Sequence, residues 1–192
     1  MFQAFVFVET AVTVRHWFEI GPEDAEHGSR LEIRRRVPHP HRGSESASQV
    51  LELDDVLWRA DLFDLYGGAP GNFERAHYHP TFDGVEPSDR TWSDQLQVDP
   101  FGWAEAQLRD YAALISGCGL ELTEPGAEEQ DLRTALPDIM AAARRVAGSE
   151  CTSDEACLAA TRDTTEIMDM MGEMFREHLP PERRDPRRAA VA

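Results

Sequence analysis

The apolar residues of this chain change period at Asp99-Pro100, and that change limits the fold more than any other feature. Before it, β-branched and aromatic residues alternate with polar ones, as in strands with one buried face. After it, apolar residues recur every three or four positions, as in amphipathic helices. Strands first and helices second do not make the alternating units of a parallel sheet. The expected fold is therefore α+β with antiparallel strands. The sequence predicts an antiparallel sheet or partial barrel over 1–98, helices packed on it over 99–178, and a disordered arginine-rich tail over 179–192.

In the first half, "FQAFVFVETAVTVRHWFEI" reads as strand up to Gly21-Pro22. "LEIRRRV" places Leu31, Ile33 and Val37 on one side and Glu32, Arg34 and Arg36 on the other, with Arg35 interrupting the apolar side. Residues 38–48 have the composition of a loop. Residues 49–66 read as two strands or one bent one, because Asp54-Asp55 makes a poor strand centre. "GGAPG" must turn, and "NFERAHYH" follows as a strand closed by Pro80 and Asp83-Gly84.

In the second half, Asp99 is placed to cap a helix with Pro100 in its first turn and a stripe of Trp103, Gln107, Tyr111 and Leu114. A second helix carries Leu132, Leu136, Ile139, Met140, Ala143 and Val146, and Pro137 either kinks it or starts it. A third runs from Thr152 to Pro180 with a stripe of Ile167, Met171, Met174, Phe175 and His178. The last two helices are expected to pair as a hairpin. That hairpin supplies one functional reading, a non-catalytic surface for a partner chain or a homodimer.

Charge excludes some functions. The net charge is −17, so the body of the protein repels nucleic acid and anionic membrane surfaces. All 19 basic residues are arginine, which removes lysine Schiff-base chemistry and P-loop phosphate binding. Cys118, Cys151 and Cys157 show no zinc spacing, and the N-terminal apolar run has no basic residues before it. These features lead to an expected cytoplasmic location.

Chemistry concentrates in "NFERAHYHPTFDG", residues 72–84. On a strand, His77 and His79 share a face with Phe73 and Arg75. Two imidazoles at alternate positions reach one divalent metal (iron, zinc, manganese or nickel), and Asp83 or Glu86 is the nearest acid to complete two histidines and a carboxylate. The competing reading is a pair of strand histidines satisfied by hydrogen bonds, the commoner fate of His-x-His. In "LWRADLF", Arg59 and Asp61 alternate between large apolar residues. They read either as a cross-strand salt bridge or as the lining of a polar pocket, with Arg75 nearby, where Arg59 grips the carboxylate of a small anionic ligand.

The spacing Gly71-x5-His77-x-His79-x3-Asp83, with Glu86 following, resembles the first motif of cupins. The resemblance implies a small antiparallel barrel with a metal in its mouth. It covers residues 71–86, has Asp at the family's glutamate interval, and lacks a downstream motif with a third histidine. The wider pattern "RADLFDL…GAPGNFERAHYHPTFDGVEPSDR…DPFGW" is similar to a family of high-GC actinobacterial proteins, a resemblance that brings no mechanism with it.

Overall fold

The computed structural model describes residues 2–20, 24–37 and 52–148, with 156, 159 and 161 beyond them. The expected loop over 38–48, most of the third helix with its methionine stripe, the pairing of that helix with the one before it, and the tail lie outside the described residues. Strands β1 (Phe2–Val6), β2 (Thr10–Ile20), β3 (Ala25–Val37), β4 (Glu52–Leu65) and β5 (His77–His79) form one antiparallel sheet in chain order. A two-stranded hairpin, β6 (Phe82–Asp83) and β7 (Glu86–Pro87), follows. Helices α1 (Asp94–Val98), α2 (Pro100–Arg109), α3 (Tyr111–Gly117) and α4 (Pro125–Ala147) complete an α+β fold.

Cross-strand register sorts the sheet into two faces. Val12, Val14, Leu31, Ile33, Trp58, Ala60 and Leu62 lie on one face. With Phe101, Ala104, Leu108, Leu132, Leu136, Ile139, Met140 and Val146 they form the core against the helices. The other face carries charge in rows that run across the strands. One row is Thr13, Glu32, Arg59 and His79, and the next is Arg15, Arg30, Asp61 and His77. A third is Trp17, Gly28 and Phe63. Gly28 has φ +154, and a Cβ there would lie 2.3 Å from the Leu62 carbonyl oxygen, so only glycine lets β3 and β4 approach in this row.

The elements depart from the expected ones at some points and match them at others. Residues 2–20 make two strands around a turn at Val8-Glu9 that contains neither glycine nor proline. Residues 52–65 are one strand, the second of the two expected alternatives, with register shifts opposite Ile33–Arg36 that put Arg35 in solvent and leave Asp54 and Asp55 exposed. The strand expected over 72–79 is only His77–His79, because Phe73 has φ +48 and the chain turns before it. The helix after Asp99 breaks at Asp110, and its buried stripe is Phe101, Ala104 and Leu108 rather than Trp103 and Gln107. Asp99 does cap it, accepting from the Gly102 amide at 2.9 Å. α4 runs unbroken through Pro137 with its predicted stripe buried.

His16, on the helix-facing side, is 3% exposed, and burial, then the neighbouring His27, pushes its pKa down to about 4. The folded state thus holds it neutral, whereas the unfolded chain protonates near 6.5. Its contribution is complete above 6.5 and is lost as pH falls toward 4, on the order of 2–3 kcal/mol. Urea midpoints of wild type and His16→Gln should converge between pH 7 and pH 4.5. Parallel pH slopes would show that His16 does not couple folding to protonation.

Candidate metal centre

The two charged rows meet at Asp61. The register sets Asp61 directly across from His77, with His79 one pleat further along the same face. Asp61 Oδ2 lies 3.4 Å from His77 Nε2 and 3.8 Å from His79 Nε2. One ligand atom from each of the three residues falls within 4.8 Å of the others, so this buried group could hold a metal ion. Asp61 is 0% exposed, His77 1% and His79 4%, so water does not screen the site.

Each imidazole is oriented by its other nitrogen. His77 Nδ1 is 2.8 Å from the Arg75 carbonyl oxygen, and His79 Nδ1 is 2.6 Å from that of Ser88. A carbonyl oxygen only accepts, so each Nδ1 carries the proton and donates it. Both Nε2 atoms then face the Asp61 carboxylate. A metal-bound histidine is usually held in just this way, its second nitrogen fixed by a carbonyl or carboxylate. His79 Nε2 is buried without a hydrogen-bond partner, an arrangement that costs stability unless a cation or proton sits there. Burial lowers the His79 pKa; the Ser88 carbonyl works against this and Arg59 adds to it, and the net shift is downward. A proton is therefore a poor answer at this nitrogen.

Two guanidiniums hold Asp61 from the other side. Arg30 Nε donates to Oδ1 at 2.6 Å and Nη2 to Oδ2 at 3.2 Å. Arg59 Nε lies 3.1 Å from Oδ2 but off the hydrogen-bonding direction, and it is buried without such a bond. Burial alone would raise the Asp61 pKa, yet Arg30, the His77 contact and Arg59 outweigh it and hold the carboxyl well below the usual range. Arg30 also stacks on Trp17 at 4.1 Å and lies 3.6 Å from Glu19. Glu32 is shared by Arg15 and Arg34, each at 3.0 Å.

The segment after β5 closes over this group. Ser88 fixes His79, Arg90 pairs with Glu26 at 2.6 Å and Glu19 at 3.4 Å, and Thr91 bridges to Tyr78. Phe82 lies against His79 and under the Arg59 guanidinium, while Trp92, half exposed, sits 6.1 Å from His77.

Of the residues the sequence singled out, His77, His79, Asp61 and Arg59 come together. Asp83 and Glu86 pair across β6 and β7, are exposed, and are outside the group that could hold a metal. The acid within reach is Asp61, which the sequence pointed to as pocket lining. Arg75 lies in the turn before β5 and is outside that group. Its side chain pairs with Asp24, and its backbone carbonyl does the work of orienting His77. Arg30 went unnoticed, although its alternation with Glu32 and Arg34 along β3 was the available signal.

No helix among the described residues is long and apolar enough to cross a membrane. Compared with family models, curated proteins and solved structures, the chain matches none.

Proposed function

We propose that this protein binds a divalent transition metal through His77 Nε2, His79 Nε2 and Asp61, and beside it a small anionic molecule oriented by Arg59. One observation carries the reading: two buried imidazoles, each held by a backbone carbonyl, turn their second ring nitrogens toward one carboxylate oxygen, and that of His79 has no hydrogen-bond partner. Two nitrogens and one oxygen suit iron, zinc, manganese or nickel better than calcium or magnesium. The arrangement also agrees with the cupin-like motif in its two histidines, while the acid comes from β4.

A bound divalent metal supplies Lewis acidity toward an oxygen of the ligand. The chain's own groups do the rest. Arg30 fixes the Asp61 carboxylate, and the Arg75 and Ser88 carbonyls fix the rings. Phe82 and Trp92 flank the histidines and limit water. No hydrogen bond among the described residues uses the Arg59 Nη atoms, so its fork remains able to grip a carboxylate in bidentate fashion. With Arg30 and Arg59 already beside the site, an added divalent charge favours an anion as the remaining ligand.

The test is metal content. Protein purified without chelator and loaded in turn with iron, zinc, manganese and nickel should retain about one equivalent of at least one of them after gel filtration. His79→Ala should lower retention at least about tenfold, whereas Asp83→Asn and Glu86→Gln should not change it. Equal retention in wild type and His79→Ala would place any bound metal elsewhere.

A further inference from the structure

A second feature lies on the opposite, helix-facing side of the sheet and is independent of the metal reading. Asp64 follows Asp61 by three residues, so its side chain points to the other face. Here the end of β4, the loop 66–73, the start of α2 and the end of α4 enclose a cleft of about 660 Å³. That volume suits one small organic ligand.

The walls are aromatic. Phe73 meets Phe101 edge to face at 5.3 Å, and Tyr66 meets His27 edge to face at 5.7 Å. The loop that carries Phe73 is rigidly built. Asp64 accepts from the Gly71 amide at 2.8 Å and the Phe73 amide at 2.6 Å, and Gly67 and Gly71 take the positive φ that the turns need. Phe73 itself is held at φ +48, a conformation that costs a non-glycine residue about 1 kcal/mol or more. The aromatic ring is thus kept in place against a backbone preference.

The polar groups settle the charge of the ligand. Both Asp64 oxygens are occupied by backbone amides, and the residue is 7% exposed. The carbonyl-rich end of α4 would by itself favour a cation, but the Arg144 guanidinium already lies there, 4.5 Å above the Phe101 ring. Among the described residues no carboxylate pairs with Arg144. His27 lines the same cleft with its Nδ1 buried and without a hydrogen-bond partner. Among the described residues, the cleft's unpaired charge is the positive one of the exposed Arg144, and its unpartnered buried atom is an imidazole nitrogen.

We propose that this cleft binds a flat aromatic carboxylate, its carboxylate on Arg144 and its ring between Phe73, Phe101 and Tyr66. An aromatic ring gains edge and stacking contacts there beyond its burial, and the guanidinium fork matches the planar carboxylate.

Naphthalene-2-carboxylate is a suitable probe, titrated calorimetrically into the full chain beside the neutral 2-naphthamide and the cationic 2-naphthylmethylamine. The carboxylate should bind about tenfold more tightly than the amide, with the amine weakest. Arg144→Gln should abolish that preference. Phe73→Gly, which removes the ring while easing the backbone, should weaken all three probes. His79→Ala should leave binding unchanged, so failure of the metal proposal leaves this one standing. Absence of carboxylate binding in wild type, equal affinity in Arg144→Gln, or tighter binding of the amine would overturn it.

Discussion

Asp61→Asn should cost the fold about 3–5 kcal/mol, because it leaves the buried Arg30 with only the half-exposed Glu19, 3.6 Å away, as counter-charge. Arg30 and Asp61 side chains are 4% and 0% exposed, so water cannot replace what is lost. Arg59, at 15%, can turn toward solvent and suffers less. For a chain of this length the loss corresponds to a melting temperature lower by about 10 °C. The double change Arg30→Met with Asp61→Leu should recover much of that stability, since a matched apolar pair is often no worse than a buried ion pair. It should not recover metal retention, which separates Asp61 as a structural counter-charge from Asp61 as a ligand. A single Asp61→Asn variant as stable as wild type would mean that Arg30 is neutralised by another group.

Glu128→Ala should destabilise by about 2–4 kcal/mol, from loss of charge-assisted hydrogen bonds that leave donors stranded. Glu128 is fully buried in the first turn of α4. One of its oxygens accepts from the Val8 and Glu9 amides at 2.9 and 3.0 Å, and the other from the Thr10 hydroxyl, which in turn contacts Tyr111. The clamp is reciprocal. Glu9 reaches back to accept from the Thr123 and Glu124 amides at 2.7 and 3.0 Å, at an α4 N-terminus that has no side-chain cap of its own. Glu128→Gln should lose less, since it keeps one acceptor oxygen. Urea midpoints would decide, and an alanine variant within about 0.5 kcal/mol of wild type would show that water satisfies the turn.

That clamp explains why the first hairpin was hard to read. Turns announce themselves through glycine, proline or asparagine, whereas Val8-Glu9 is bent by a carboxylate 119 residues away. The period change at Asp99-Pro100 was readable because capping and hydrophobic spacing are local, and α4's apolar stripe survived intact for the same reason. Arg35, which broke the alternation of β3, marked a register shift, a local signal that could be seen but not interpreted without β4 beside it.

The candidate site was legible in its residue types and not in their grouping. His77 and His79 alternate on a true strand, so their shared face followed from sequence. The third group did not, because the nearest acids in sequence, Asp83 and Glu86, lie on a hairpin that faces solvent. Asp61 becomes their neighbour only through the pairing of β4 with β5, set by a connection whose key bend, Phe73 at positive φ, carries no residue signal.

The metal centre rests on two imidazoles held at Nδ1, with the Nε2 of His79 open, and long-range nitrogen–proton NMR of the histidine side chains reads that state directly. In metal-free protein at neutral pH, His79 should show a proton on Nδ1 and none on Nε2. Addition of one equivalent of zinc should shift the Nε2 signals of both His77 and His79 while their Nδ1 protons remain. A proton on His79 Nε2, or Nε2 signals indifferent to zinc, would contradict the metal centre.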